Sequence, residues 1–263
     1  MKLAFSTDYW KALSYREFVT LAKELQFSGI EIHDIDDPAF CEKGAIFSDA
    51  MPSETRRLAN LGISIPCIDT VFNIAEASSE RINLDTLARY LLTAKRVRCP
   101  YVRLYAKAVD GVTVDEADEA AIRFLYRALP MAEKEGIVLL LETAGIYADT
   151  SRLAKVLGIF ASDSLGALWD LSHPYRLYGE EPEKTVENLG AYIKHVHIKD
   201  FSDARGALCL PGEGDIPLAS IMHRLLLDGY DGFFSLEWER FWHPELEDIS
   251  VALRKAREII GGL

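Results

Sequence analysis

The stretch "EGIVLLLET", residues 135–143, carries the signal that decides the fold. Glu135 closes a long amphipathic run, Gly136 interrupts it, an unbroken apolar run follows, and Glu142 arrives where that run stops. A short, wholly apolar run is what a strand buried on both faces looks like. Gly is the usual residue at a helix stop. The same junction recurs in "LGISIPCID" (61–69) and "DGYDGFFSLEWE" (228–239). Working outward, strands are predicted at Lys2 to Thr7, Gly29 to Asp34, Ser64 to Asp69, Tyr101 to Ala106, Val138 to Thr143, Leu165 to Leu171, Ile193 to Asp200 and Gly232 to Glu239. Between them lie amphipathic helices such as "SYREFVTLAKELQF", where Phe18, Leu21, Ala22 and Leu25 recur at three and four residues.

Eight strands in 263 residues leave about 33 residues per strand–helix unit, the size expected of a (β/α)8 barrel. An open doubly wound sheet would commonly show a Gly-rich phosphate turn after its first strand, and "FSTDYWKALS" has none. The expectation is an α/β protein, one TIM-barrel domain over 1–263. Nearly half the residues are hydrophobic (49%) and the mean hydropathy is +0.02, enough for a large core. No apolar run is long enough for a membrane span, and the N-terminus reads as a strand rather than a signal peptide. Cys41, Cys67, Cys99 and Cys209 are scattered, as in reduced cytoplasmic proteins. The net charge of −12 argues against a nucleic-acid partner, which needs a basic surface.

In such a barrel, chemistry sits at the carboxyl ends of the strands. The fifth strand ends at Glu142. The sixth, "GALWDLSHP", carries Asp170 and then His173. The seventh, within "HVHIKD" (195–200), carries His197, and the eighth carries Glu237. Adjacent strands lie roughly 4.8 Å apart, so groups from strands five to eight can converge. Three crowded carboxylates resist ionisation unless a cation joins them. Glu142, Asp170, His197 and Glu237 are therefore the candidate ligands of one divalent ion. Three oxygens and one nitrogen suit Mn2+ best, with Mg2+, Co2+ or Zn2+ as alternatives. Read singly, each has a plainer role: a helix cap for a Glu, a turn for Asp170, a core imidazole for His197.

Here the chain resembles the xylose-isomerase-like TIM barrels, from "KLAFST" and "AKELQFSGIEIHD" through "LLLET", "WDLSHPYRLYGEEPEKTVENLG" and "HVHIKD" to "LPGEGDIPL" and "GYDGFFSLEWER". The resemblance implies a metal held at Glu142, Asp170, His197 and Glu237, with His173 facing the substrate. Members include sugar phosphate isomerases and epimerases, inosose and 3-dehydroshikimate dehydratases, and endonuclease-IV-type repair enzymes. The extra histidines of the three-metal nucleases are missing from "CIDT", "RLYAK" and "GALCLPGEG". The second Glu and the Arg of many ketose 3-epimerases are replaced by Ala148 and Asp203.

The expected activity is metal-dependent isomerisation or epimerisation of a sugar, sugar phosphate or polyol through an enediolate, with Glu142 and Glu237 as the acid/base pair. The alternatives are dehydration of a cyclic polyol or keto acid and, more remotely, a non-catalytic sugar-binding barrel or an AP endonuclease. Substrate-binding candidates are His173, Lys199, Arg176, His33 and Trp242. Strand alternation turns His195, His197 and Lys199 the same way, with Lys199 towards substrate or in a salt bridge to a nearby acid, and His195 one layer deeper. Pairing of the outer helices into a homodimer or homotetramer is left open.

Overall fold

The computed structural model describes residues 1–7, 13–240 and 243–261. Its strands in chain order are β1 (Lys2–Ser6), β2 (Gly29–Glu31), β3 (Cys67–Asn73), β4 (Tyr101–Tyr105), β5 (Val138–Glu142), β6 (Leu165–Asp170), β7 (Ile193–Ile198), β8 (Asp200–Ser202), β9 (Ala207–Cys209) and β10 (Phe233–Leu236). The helices are α1 (Tyr15–Glu24), α2 (Pro38–Cys41), α3 (Met51–Asn60), α4 (Glu80–Val97), α5 (Val114–Glu135), α6 (Thr150–Phe160), α7 (His173–Tyr178), α8 (Pro182–Leu189), α9 (Leu218–Leu227) and α10 (Ile249–Gly261). Eight parallel strands alternating with helices make this a (β/α)8 TIM barrel, as the sequence predicts. The chain comprises two compact units, Met1–Pro66 with His195–Leu263, and Cys67–Lys194.

In the first unit β1 pairs with β2 on one side and with β10 on the other, and β10 pairs with β7. The first strand thus neighbours the last parallel one, a pairing that belongs to a closed barrel rather than to an open sheet in which the chain starts at a switch point. In the second unit β3, β4, β5 and β6 follow one another, each paired with the next. A core of Cys67, Leu140 and Leu168, with Tyr101 and Val138 against it, fills part of this unit. Two residues further along the same three strands stand Asp69, Glu142 and Asp170, so strand alternation puts three buried acids on the face above that core.

Local signals fix the helix ends. Ser14 with Glu17, and Thr113 with Glu116, form capping boxes that start α1 and α5. Gly62, Gly136 and Gly229 adopt φ of 71°, 70° and 86° at the helix-to-strand junctions, left-handed values that Gly reaches without steric cost.

Several boundaries differ from the prediction: the second strand stops at Glu31 rather than Asp34 and the eighth parallel strand at Leu236 rather than Glu239. The third strand starts at Cys67 rather than Ser64, because Pro66 has no N–H for a ladder; Ser64 makes only a single bridge to Gly29. That strand then runs on through "TVFN", with an irregular register between Asp69 and Asn73. The seventh strand ends at Ile198, and Asp200 opens the antiparallel β8–β9 hairpin instead of closing the strand. None of the four cysteines is disulfide-bonded. Among the described residues no helix is long and apolar enough to cross a membrane.

Candidate metal centre

In the first unit the chemistry gathers around β7. His195 and His197 point to the same side, as alternation requires, and both meet Glu31 at the end of β2. Nε2 of His195 lies 3.0 Å from one Glu31 oxygen, and Nε2 of His197 lies 3.0 Å from the other. All three side chains are fully buried, and together they are a group whose ligand atoms could hold an ion. Burial alone would raise the Glu31 carboxyl, but the two imidazoles outweigh it and hold the group well below the usual carboxylate range. An ionised Glu31 can only accept, so His197 donates through Nε2, and in the neutral form of the ring the lone pair is left on Nδ1. That Nδ1 stands 3.8 Å from Oε1 of Glu237. Ligands of one ion, each about 2.1 Å from it, sit roughly 3–4 Å apart, and the pair fits that spacing.

Lys199 extends the row. Its ammonium touches Glu237 and lies 2.6 Å from Glu239. The salt-bridge reading of Lys199 is therefore the observed one, made with acids of the eighth parallel strand and its extension. Asp200 is differently engaged: its carboxylate accepts from the backbone amides of Phe201, Gly212, Gly214 and Ile216. A Cβ on Gly214 would lie 2.1 Å from Oδ1 of Asp200, so the "GEG" turn needs its second glycine for this close approach.

In the second unit, Arg103 from β4 reaches between two acids. Its Nε lies 3.2 Å from Glu142 and 3.6 Å from Asp69, and Nη1 donates to the carbonyl of Thr70. Asp170 divides its oxygens. Oδ1 accepts from the amides of Ser172 and His173, the turn role anticipated for it, while Oδ2 lies 3.7 Å from Nδ1 of His173. Thr143 braces the strand end, accepting from the Asp170 amide and donating to its carbonyl. Glu142 and Asp170 are buried, with hard oxygens of the type a divalent cation takes.

The remaining candidates are more dispersed. His173 begins α7 and is half-buried, Arg176 is exposed on the same helix, and His33 is half-buried just beyond β2. Trp242 lies outside the described residues, as does Trp10. Sequence reasoning missed Glu31 and assigned the second strand end to His33. The available signal was the one used elsewhere, an acid closing an apolar run in "SGIEIHD".

A sequence profile described as Xylose isomerase-like TIM barrel matches residues 19–259, and the chain belongs to that family. It is 30% identical over 187 residues to a putative hydroxypyruvate isomerase of Streptomyces coelicolor, covering 66% of this chain and 64% of the relative, less than two thirds of its length. It is 24% identical over 227 residues, 82% of each chain, to fructoselysine 3-epimerase of Escherichia coli O157:H7. It is 29% identical over 128 residues, 42% of each, to inosose dehydratase of Bacillus thuringiensis. These relatives are enzymes. Among solved structures, the probable 3-DHS dehydratase AsbF of Bacillus anthracis superposes with a TM-score of 0.81 at 19% identity over 98% of both chains. The structure of IOLI protein with a bound zinc atom gives 0.80 at 17% identity over 99% of this chain and 96% of that one.

Proposed function

We propose that this chain is a divalent-metal-dependent isomerase or epimerase of a sugar, sugar phosphate or polyol. In this reading Glu142, Asp170, His197 and Glu237 hold one ion, Mn2+ by preference. The observation that carries it is the fixing of His197 by Glu31, which turns Nδ1 towards Glu237. In support, Glu142 and Asp170 are buried hard-oxygen donors of one unit, and His197 and Glu237 stand together, also buried, in the other.

When bound, the ion would act as a Lewis acid towards a substrate carbonyl and make the neighbouring C–H more acidic. Glu142 and Glu237 then take that proton and return it. Delivery to the opposite face gives an epimer, and delivery to the neighbouring carbon gives an aldose–ketose isomer. Arg103 pairs with the Glu142 carboxylate, and Lys199 with that of Glu237. His173, His33 and Arg176 are the groups assigned to substrate hydroxyls.

Exchange of solvent deuterium into a panel of ketoses by the Mn2+-loaded protein tests this. Glu237→Gln should slow exchange by about 10² to 10⁴. Exchange and Mn2+ affinity both unchanged in that variant would overturn the proposal. Dehydration is the second reading, favoured by the partial identity to inosose dehydratase. It uses the same proton removal but expels a β-hydroxyl, so an unsaturated product with no returned deuterium would select it.

A further inference from the structure

The carboxylate of Glu31 does something that neither packing nor ion-holding needs: it takes a separate imidazole on each oxygen. The two rings stand 5.6 Å apart and nearly perpendicular, at 80°, so neither can shift onto the other's oxygen without losing its own. Glu31, His195 and His197 are all inaccessible to solvent, so no water competes for the positions. A carboxylate has no proton to give, which forces both rings to present Nε2–H to it. For His195 the consequence is structural. For His197 it decides which nitrogen carries the lone pair, since a neutral imidazole has only one.

We infer that Glu31 is a positioning residue that locks His197 in the Nε2–H tautomer and so presents Nδ1 for an ion, with His195 holding the second Glu31 oxygen and thereby the carboxylate plane. This rests on the reading of His197 as an ion ligand. The carboxylate–imidazole–ion chain is a recurrent way of orienting a histidine ligand, and loss of the outer partner typically weakens ion affinity 10- to 100-fold. The device is visible only in three dimensions, because Glu31 lies 164 and 166 residues from the histidines it orients.

Long-range 1H–15N NMR of the histidine-labelled, metal-free protein reads the tautomer directly. Wild-type protein should show Nε2–H at both rings, and Nδ1–H at His197 would overturn the inference without any variant. In Glu31→Gln only one amide oxygen remains to accept, so one of the two rings must abandon its Nε2–H contact. The expected results are a mixed or reversed tautomer and Mn2+ affinity lowered 10- to 100-fold by calorimetry, in protein whose circular dichroism is unchanged. Unchanged tautomer and unchanged Mn2+ affinity in Glu31→Gln would overturn it. Glu237→Gln, titrated alongside, separates the two claims. If that variant keeps full Mn2+ affinity, the ion reading fails, while the wild-type tautomer still decides the role of Glu31. A role in stability alone would lower the melting temperature and leave the His197 tautomer in place.

Discussion

Arg103 shows how one side chain can sustain several charges. Its guanidinium faces Asp69 and Glu142, all three buried, and removing one partner from such a set strands the others away from water. Arg103→Met keeps the length and apolar stem but takes the guanidinium away from two buried carboxylates. Metal-free protein with this change should lose about 3–5 kcal/mol in urea unfolding. A loss below about 1 kcal/mol would mean that the guanidinium does not compensate those acids. The pattern of an acid closing an apolar run identified Glu142, Asp170 and Glu237, and Glu31 carries the same mark. His33 drew attention instead because an imidazole two positions on looked like the strand's end, whereas pairing stops at Glu31.

At the scale of elements, the capped helix starts give a pH dependence. Hydrogen bonds from the Ser14 backbone and side chain hold Glu17 below the ordinary value of 4.5, and those from Thr113 do the same for Glu116. A carboxyl lowered in the folded state stabilises above its unfolded pKa, and that contribution disappears as pH falls through the folded value. Carboxyl 13C titrations should place both midpoints below 4.5, with the first turns of α1 and α5 fraying as the groups protonate. Midpoints at or above 4.5 would contradict the capping boxes. Strand boundaries were partly legible. Pro66 delays the third strand for want of an N–H, a signal present in the sequence. Asp200, by contrast, sits where either a strand end or a hairpin start would read the same. Its four backbone donors settle the matter, and three of them come from residues 12 to 16 positions away.

For the whole molecule, an ion bound by the folded chain but not by the unfolded one must raise stability by mass action. At 100 times its dissociation constant, Mn2+ should add about 2.7 kcal/mol, which for a chain of this size is roughly 5–10 °C in Tm. EDTA should reverse the shift. No shift with Mn2+, Mg2+, Co2+ or Zn2+ would remove the ion from the account. The alternation of buried strands and amphipathic helices, and with it the barrel class and the acids and imidazoles at the strand ends, was determined by the sequence alone, because hydrophobic period and helix punctuation are local properties. What only the tertiary structure decided is which groups meet: Glu31 with both histidines, Arg103 with Asp69 and Glu142, Lys199 with Glu237. Each of these contacts spans separate strands, and their partners are set by sheet register and side-chain reach, which no local pattern records.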